Sequence, residues 1–161
     1  MRVFTIFFLV LLGTFIIDQN IKNIFVEGYY RAGECINLEL HYNKGVAFSM
    51  LAFLGPYLKW IQALLIAVIL FVIFKEGYLK RYALPAGLLV GGALGNVYDR
   101  FIHEGVVDYV AWHCGFNFAV FNFADVAIDV AFVIIIVMIY FFPETPKDDT
   151  PKDDKAKSEA S

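Results

Sequence analysis

The feature that most constrains this chain is a set of four apolar segments, each close to the length of a membrane crossing. They occupy residues 3–17, 57–74, 82–97 and 126–142. A helix needs roughly 20 residues to cross a hydrocarbon core of about 30 Å, and most of these segments are slightly short. Each helix must therefore extend into the residues that flank its apolar segment. With these extensions, the sequence predicts an all-α integral membrane protein with four transmembrane helices.

Composition supports a membrane protein. Of the 161 residues, 60% are hydrophobic and 18% are charged, with a mean hydropathy of +0.64. Soluble domains carry about 25% charged residues. The formal charge of -3 offers no basic surface for nucleic acid, so we expect no nucleic-acid partner.

The first apolar segment begins like a secretory signal peptide, with Arg2 before an apolar run. Residues 15–19 read Phe-Ile-Ile-Asp-Gln, which is no small-residue cleavage site, so we expect a retained helix. Asp18 and Lys22 are spaced i, i+4 in the favourable orientation for an ion pair. The helix can therefore continue to about Val26, and the third segment can extend to Arg100 in the same way.

Basic residues predict the orientation. Arg2, the residues Lys75, Lys80 and Arg81, and a Lys-bearing tail place both termini in the cytoplasm. The long connections 23–56 and 98–125 then lie on the outer face. We expect one membrane domain over residues 1–142, and a disordered cytoplasmic tail over residues 143–161, where Pro-Lys-Asp-Asp occurs twice.

The first outer connection contains a strand pattern. Apolar residues alternate with polar ones from Ile36 to Tyr42, which is typical of a half-buried strand. Asn43 to Gly45 supply turn chemistry, and residues 46–48 follow. This pattern predicts a small strand pair on the membrane surface.

Cysteine and histidine residues give weaker signals. Cys35 and Cys114 both fall on the outer side, so a disulfide is conceivable, but two free buried thiols is the interpretation we favour. His41, His103 and His113 do not form the zinc-protease motif His-Glu-x-x-His, and we interpret them as ordinary polar residues. We expect no metal.

Two aspartates are the strongest candidates for chemistry. Asp108 and Asp125 end the strings Gly-Val-Val-Asp and Phe-Asn-Phe-Ala-Asp. An ionisable group at membrane depth costs roughly 2.5 to 3.5 kcal/mol and marks a functional site by default. If the fold brings the two together, they share a proton, and one can act as base while the other acts as acid on a peptide bond. The structural alternative for Asp125 is N-capping of the fourth helix.

The third segment ends in small and polar residues. Gly91, Gly92 and Gly95 permit close helix packing in lipid, and Asn96 and Arg100 share a helix face. Helix contact alone would explain the glycines. Interfacial anchoring would explain Arg100.

Five strings, in this order and at about this spacing, resemble lipoprotein signal peptidase, the signal peptidase II family. They are Asp-Gln-Asn-Ile-Lys at 18–22, Asn-Lys-Gly-Val-Ala-Phe at 43–48, Gly-Ala-Leu-Gly-Asn-Val-Tyr-Asp-Arg at 92–100, Gly-Val-Val-Asp at 105–108 and Phe-Asn-Phe-Ala-Asp at 121–125. The resemblance covers roughly residues 3–142.

The resemblance implies a multi-pass aspartyl peptidase of the bacterial inner membrane, with its site at the outer face. Such an enzyme removes signal peptides from prolipoproteins, cutting before a diacylglyceryl-modified cysteine. It implies four helices with a small β-rich extracytoplasmic cradle, and it requires no cofactor. We expect a monomer surrounded by membrane phospholipids. Asp108 and Asp125 match the catalytic pair, and the supporting positions match Asp18, Lys22, Asn43, Gly45, Gly92, Asn96, Asp99, Arg100 and Asn122.

Two positions depart from the family pattern, and two other functions compete. Tyr42 stands before Asn43, where a basic residue is frequent in the family, which puts in doubt a lipid-headgroup contact from that position. Asp129 stands where a small uncharged residue is expected, so a third acid lies either on the catalytic face or toward a helix neighbour. A small proton-coupled transporter or channel subunit would also place aspartates in a membrane. An assembly factor could use the polar strings to hold helices together.

Overall fold

The computed structural model describes residues 1–45, 52–103, 105–116 and 118–143. This part of the chain is mostly helical. In chain order it contains helix α1 (Arg2–Val26), strand β1 (Ile36–Asn43), a 3-10 turn (Ala52–Leu54), helices α2 (Tyr57–Lys75) and α3 (Leu79–Ile102), strand β2 (Val106–Trp112) and helix α4 (Phe123–Phe141).

Three of the four helices are long and apolar enough to cross a membrane, namely α1, α2 and α4. They expose many large apolar side chains, among them Leu9, Leu64 and Val133, as expected for surfaces that face lipid rather than water. The helix α3 has 24 residues but carries charged residues near both ends. That α3 also spans the membrane stays a prediction.

The predicted helix extensions are confirmed. The helix α1 runs to Val26, and its Lys22 ammonium lies 2.7 Å from the Asp18 carboxylate. The helix α3 passes Arg100 and ends at Ile102. An ion pair one turn apart lets a helix keep charged residues beyond its apolar segment.

The helix α3 is the centre of the bundle and packs against α1, α2 and α4. Its glycines make this possible. A side chain at Gly91 would come within 2.7 Å of the Leu11 carbonyl oxygen on α1, and one at Gly92 within 2.7 Å of the Ala124 carbonyl oxygen on α4. The expectation of close helix packing at these small residues is confirmed.

The two strands pair antiparallel at the end of the bundle where α4 begins. Ile36 lies opposite Trp112 and His41 opposite Asp108, with an irregularity between Leu38 and His41. The predicted strand is confirmed as β1. Its partner is β2, a strand that the residue pattern does not predict, whereas the predicted partner at residues 46–48 lies outside the described residues.

The expectation of two free thiols is wrong. Cys35 and Cys114 form a disulfide, with their Cα atoms 4.4 Å apart. The cause is the strand register, because Cys35 directly precedes Ile36 and Cys114 follows its partner Trp112 by two residues. The backbone N–H of His113 also donates to the Cys35 carbonyl oxygen at 2.9 Å.

At the end of the bundle opposite the sheet, Arg81 of α3 holds the end of α4 by hydrogen bonds. Its guanidinium donates to the Met138 carbonyl oxygen at 2.7 Å and also to that of Phe142, next to the end of α4. Residues 144–161, which include almost all of the predicted disordered tail, lie outside the described residues.

Candidate active site

Asp108 and Asp125 come from different elements and line one cavity. Asp108 is the third residue of β2 and Asp125 the third residue of α4. The cavity has a volume of about 300 Å³, and its polar wall also includes Asn43, Gln62, Asn96, Arg100 and Asp129. The fold therefore brings to one cavity two acids that are 17 positions apart in the sequence.

Asn122 connects the two acids. Its side-chain N–H group donates to Asp108 Oδ1 at 2.7 Å and to Asn96 Oδ1 at 3.1 Å. Its side-chain oxygen accepts from the backbone N–H of Asp125 at 2.9 Å, and Asp125 Oδ2 accepts from the backbone N–H of Asn122 at 3.1 Å. This reciprocal pair is a capping box. The proposed N-cap role of Asp125 is therefore wrong, because Asn122 caps α4 and Asp125 is its N3 residue.

The carboxylate of Asp125 is held at both oxygens. Besides the bond from Asn122 to Oδ2, its Oδ1 accepts from Asn96 Nδ2 at 2.8 Å. The amide orientation of Asn96 follows from its other partners. Its oxygen accepts from Lys22 Nζ at 2.9 Å and from Asn122, so its N–H group must face Asp125.

Asp108 is buried, with 2% of its surface exposed. Burial raises the pKa of this carboxyl to about 6, and the negative charge of Asp125 acts in the same direction. Hydrogen bonds oppose the shift. Asn43 Nδ2 donates to Asp108 Oδ2 at 3.0 Å, and Asn122 donates to Oδ1. Asp108 thus holds a proton at a pH where an ordinary aspartate is ionised.

A buried charge cluster lies behind the cavity wall. Lys22 Nζ is 2.7 Å from Asp18 and 2.8 Å from Asp99, and all three side chains are at most 2% exposed. None of the three lines the cavity. Sequence reasoning placed them among residues that line the site or hold the substrate. They reach the acids through Asn96 and through backbone contacts.

The charge cluster accepts hydrogen bonds from backbone N–H groups next to both Asp125 and Asp108. Asp18 Oδ1 accepts from the backbone N–H of Ala124, beside Asp125. Asp99 Oδ2 accepts from the backbone N–H of Val107, beside Asp108. The cluster therefore fixes the start of α4 relative to β2, and with it the separation of the two acids.

Arg100 and Gly45 hold the end of β1. The Arg100 guanidinium donates to the carbonyl oxygens of Asn43, at 3.4 Å, and of Gly45. The backbone N–H of Gly45 donates to Asn43 Oδ1 at 3.0 Å. These contacts orient the Asn43 amide toward Asp108. Gly92 supports the site differently, by letting α3 approach Ala124 at the start of α4.

Sequence reasoning missed two supporting residues. Gln19 Nε2 donates to Asp18 at 3.1 Å and to Asp99 at 3.0 Å, and its only sequence signal is its position beside Asp18. The Tyr109 hydroxyl accepts from the backbone N–H of Phe123 at 3.0 Å, and its ring stacks on Phe25 at 4.2 Å. Burial raises the pKa of Tyr109 to about 12, so the hydroxyl stays protonated.

The third acid is on the cavity wall. Asp129 follows Asp125 by one turn of α4 and lines the same cavity. Of the two expected orientations, toward the catalytic face or toward a helix neighbour, the structure therefore has the first. Gln62 of α2 also reaches this wall and was not singled out from the sequence.

Known proteins resemble this chain in sequence and in fold. The lipoprotein signal peptidase of Sulfurovum sp. (strain NBC37-1) is 74% identical over 143 residues, covering 89% of this chain and 98% of that protein. The lipoprotein signal peptidase of Sulfurimonas denitrificans is 57% identical over 150 residues, covering 91% of this chain and 95% of that protein.

A bacterial membrane enzyme solved by the in meso method at 2.3 Å resolution shares the fold, with a TM-score of 0.72 at 24% identity over 89% of this chain and 93% of that chain. The transporter and assembly-factor alternatives receive no support from these matches. A family model described as signal peptidase (SPase) II matches residues 10–141. The chain therefore belongs to the signal peptidase II family and is a multi-pass membrane protease.

Proposed function

We propose that this protease is an aspartyl endopeptidase that uses Asp108 and Asp125 to remove signal peptides from diacylglyceryl-modified prolipoproteins. Cleavage occurs before the lipid-modified cysteine. The observation that carries the proposal is the placement of both acids on one cavity, joined through Asn122 and Asn96. Nine further residues serve as supporting residues, namely Asp18, Lys22, Asn43, Gly45, Gly92, Asn96, Asp99, Arg100 and Asn122.

The mechanism needs one protonated and one ionised acid, and we assign the proton to Asp108. Asp108 holds the proton and donates it to the oxygen of the scissile carbonyl, while ionised Asp125 removes a proton from water. The water oxygen bonds to the carbonyl carbon and forms a tetrahedral diol. The C–N bond then breaks as the leaving nitrogen takes the proton held by Asp125, and Asp108 recovers its own. No covalent enzyme intermediate forms.

The membrane arrangement is part of the proposal. Four helices cross the bacterial inner membrane, both termini lie in the cytoplasm, and the site lies at the outer face. The disulfide between Cys35 and Cys114 supports this orientation, because disulfides persist on the oxidising side of that membrane. Residues 1–142 form the peptidase domain, residues 143–161 a disordered cytoplasmic tail, and the enzyme works as a monomer among phospholipids.

Lipid recognition requires little from the protein. Each buried methylene contributes about 0.8 kcal/mol, so two acyl chains hold the substrate in the membrane without a dedicated pocket. The enzyme then has to orient the scissile bond. Arg100 and Asn43, which border the cavity, are placed to contact the peptide on its outer side.

Reconstituted enzyme tests the proposal. The diacylglyceryl-modified prolipoprotein should be cleaved and its unmodified twin should not, as scored by gel shift. Asp108→Asn and Asp125→Asn should each lower kcat by about 10³-fold or more, because each removes one proton-transfer step. Glu76→Gln removes an exposed carboxylate at the opposite end of the bundle and should leave kcat unchanged. Near-normal turnover by either Asp variant would reject the mechanism.

A further inference from the structure

The membrane-facing wall of the catalytic cavity contains two acceptors without a protein donor. The side-chain oxygen of Gln62 is buried and has no hydrogen-bond partner among the described residues. Asp129 makes no hydrogen bond or ion pair within the part of the chain that the structure describes, yet it lines the same cavity. The Gln62 oxygen is a buried acceptor without a partner, which is costly and calls for an explanation, whereas the Asp129 side chain is exposed.

Both residues lie at a similar distance along their helices. Gln62 is the sixth residue of α2 and Asp129 the seventh residue of α4. Both helices begin at the end of the bundle that holds the sheet. At about 1.5 Å per residue, the two side chains lie about 8 to 9 Å inside the helix starts. Asp125 is one turn nearer to the sheet, so Gln62 and Asp129 lie on the membrane side of the scissile bond.

The substrate supplies donors at this depth. Given the proposed function, on which this inference rests, the signal peptide reaches the site from the membrane. Its last residues must leave the helical conformation for the scissile bond to enter between Asp108 and Asp125. Backbone N–H groups freed in this way need acceptors, because lipid offers none. A hydroxyl side chain in the same segment needs one as well.

We propose that Gln62 and Asp129 form a specificity subsite, which accepts hydrogen bonds from the signal-peptide residues just before the scissile bond and favours a hydroxyl side chain there. Both residues line the cavity, and a carboxyl oxygen accepts in either protonation state. An apolar substrate side chain would leave both acceptors unpaired. Discrimination arises because a site built around polar groups rejects an analogue that lacks the matching group.

Isosteric substrates test the subsite. Lipid-modified prolipoproteins carrying Thr or Val at each of the three residues before the modified cysteine differ by a hydroxyl in place of a methyl. The wild-type enzyme should show a kcat/KM about three- to tenfold higher for Thr at one of these positions, the range expected for one or two hydrogen bonds.

Two variants locate the effect. Gln62→Met and Asp129→Leu should bring the Thr/Val ratio of kcat/KM close to one, because kcat/KM should fall more for the Thr substrate than for the Val substrate. Both replacements put apolar side chains at membrane depth, which favours insertion and folding. Asp129→Asn keeps an acceptor and should keep most of the preference. Val133→Leu is a matched control, because Val133 lies one turn further along α4, is exposed and does not line the cavity.

The outcomes separate the subsite from the proposed function. An absent Thr preference in wild type, or an unchanged preference in both apolar variants, would overturn the subsite. An equal loss of kcat/KM on both substrates would also overturn it, since that result assigns the residues to the catalytic pair or to folding. None of these results bears on Asp108→Asn and Asp125→Asn, which test the proposed function alone.

Discussion

At the scale of single residues, the environment of Asp108 determines how activity depends on pH. Its pKa lies near 6 because the side chain is buried and because Asp125 is close. Since Asp108 must be protonated to act as the acid, kcat/KM should fall as pH rises through this value. The alkaline limb then lies well above the usual carboxyl range, and its apparent pKa belongs to the pair. A profile from about pH 4 to about pH 9 measures it.

A substitution at Asn43 should shift the alkaline limb of the pH profile of kcat/KM. Its amide donates to the Asp108 carboxylate and lowers the pKa, so Asn43→Ala should raise the pKa and shift the alkaline limb to higher pH. Asn37→Ala is the control, because Asn37 lies on the same strand and bonds to Gly33 and His113 instead. A shift to lower pH, or an equal shift in the control, would contradict this assignment.

At the scale of elements, the start of α4 depends on a hydroxyl from β2. Tyr109→Phe removes the acceptor for the backbone N–H of Phe123 and should lower the unfolding free energy by about 1 to 3 kcal/mol. Tyr29→Phe is the matched control. That ring also contacts Phe25, but 45% of Tyr29 is exposed. Thermal unfolding in detergent should show a lower Tm for Tyr109→Phe only, and equal losses would exclude this role for the hydroxyl.

The elements also show how far sequence reasoning reaches. The strand β1 alternates between polar and apolar residues, so its period of two was visible. The strand β2 was not predicted, because Val106 to Tyr109 are all buried and the run does not alternate. Pairing register depends on contacts between distant segments. The disulfide between Cys35 and Cys114 depends on that register and could not be predicted either.

The residues of the candidate site that belong to motifs were easier to predict than the rest of the cavity wall. Asp108, Asp125 and Asn122 belong to strings that resemble a known family, so their positions were available from the sequence. Gln62 lies on an apolar helix, with no motif around it. Its place on the cavity wall follows from how α2 packs, which periodicity alone does not determine.

At the scale of the whole molecule, Lys22 connects α1, α3 and the site. It forms ion pairs with two buried acids, one on its own helix and one on α3. Lys22→Met would leave Asp18 and Asp99 buried without a counter-charge and should cost about 3 to 5 kcal/mol of unfolding free energy. The triple variant with Asp18→Asn and Asp99→Asn should be less destabilised than Lys22→Met alone. Chemical denaturation in detergent compares them, and a triple variant that is no more stable would contradict the account.

The most direct test of the central claim is the kcat of Asp108→Asn, Asp125→Asn and their double variant on one lipid-modified prolipoprotein. If the two acids act as one unit, each single variant loses about 10³-fold or more and the double variant loses little beyond that. If the losses multiply, or if either single variant turns over at a near-normal rate, Asp108 and Asp125 do not form the catalytic pair.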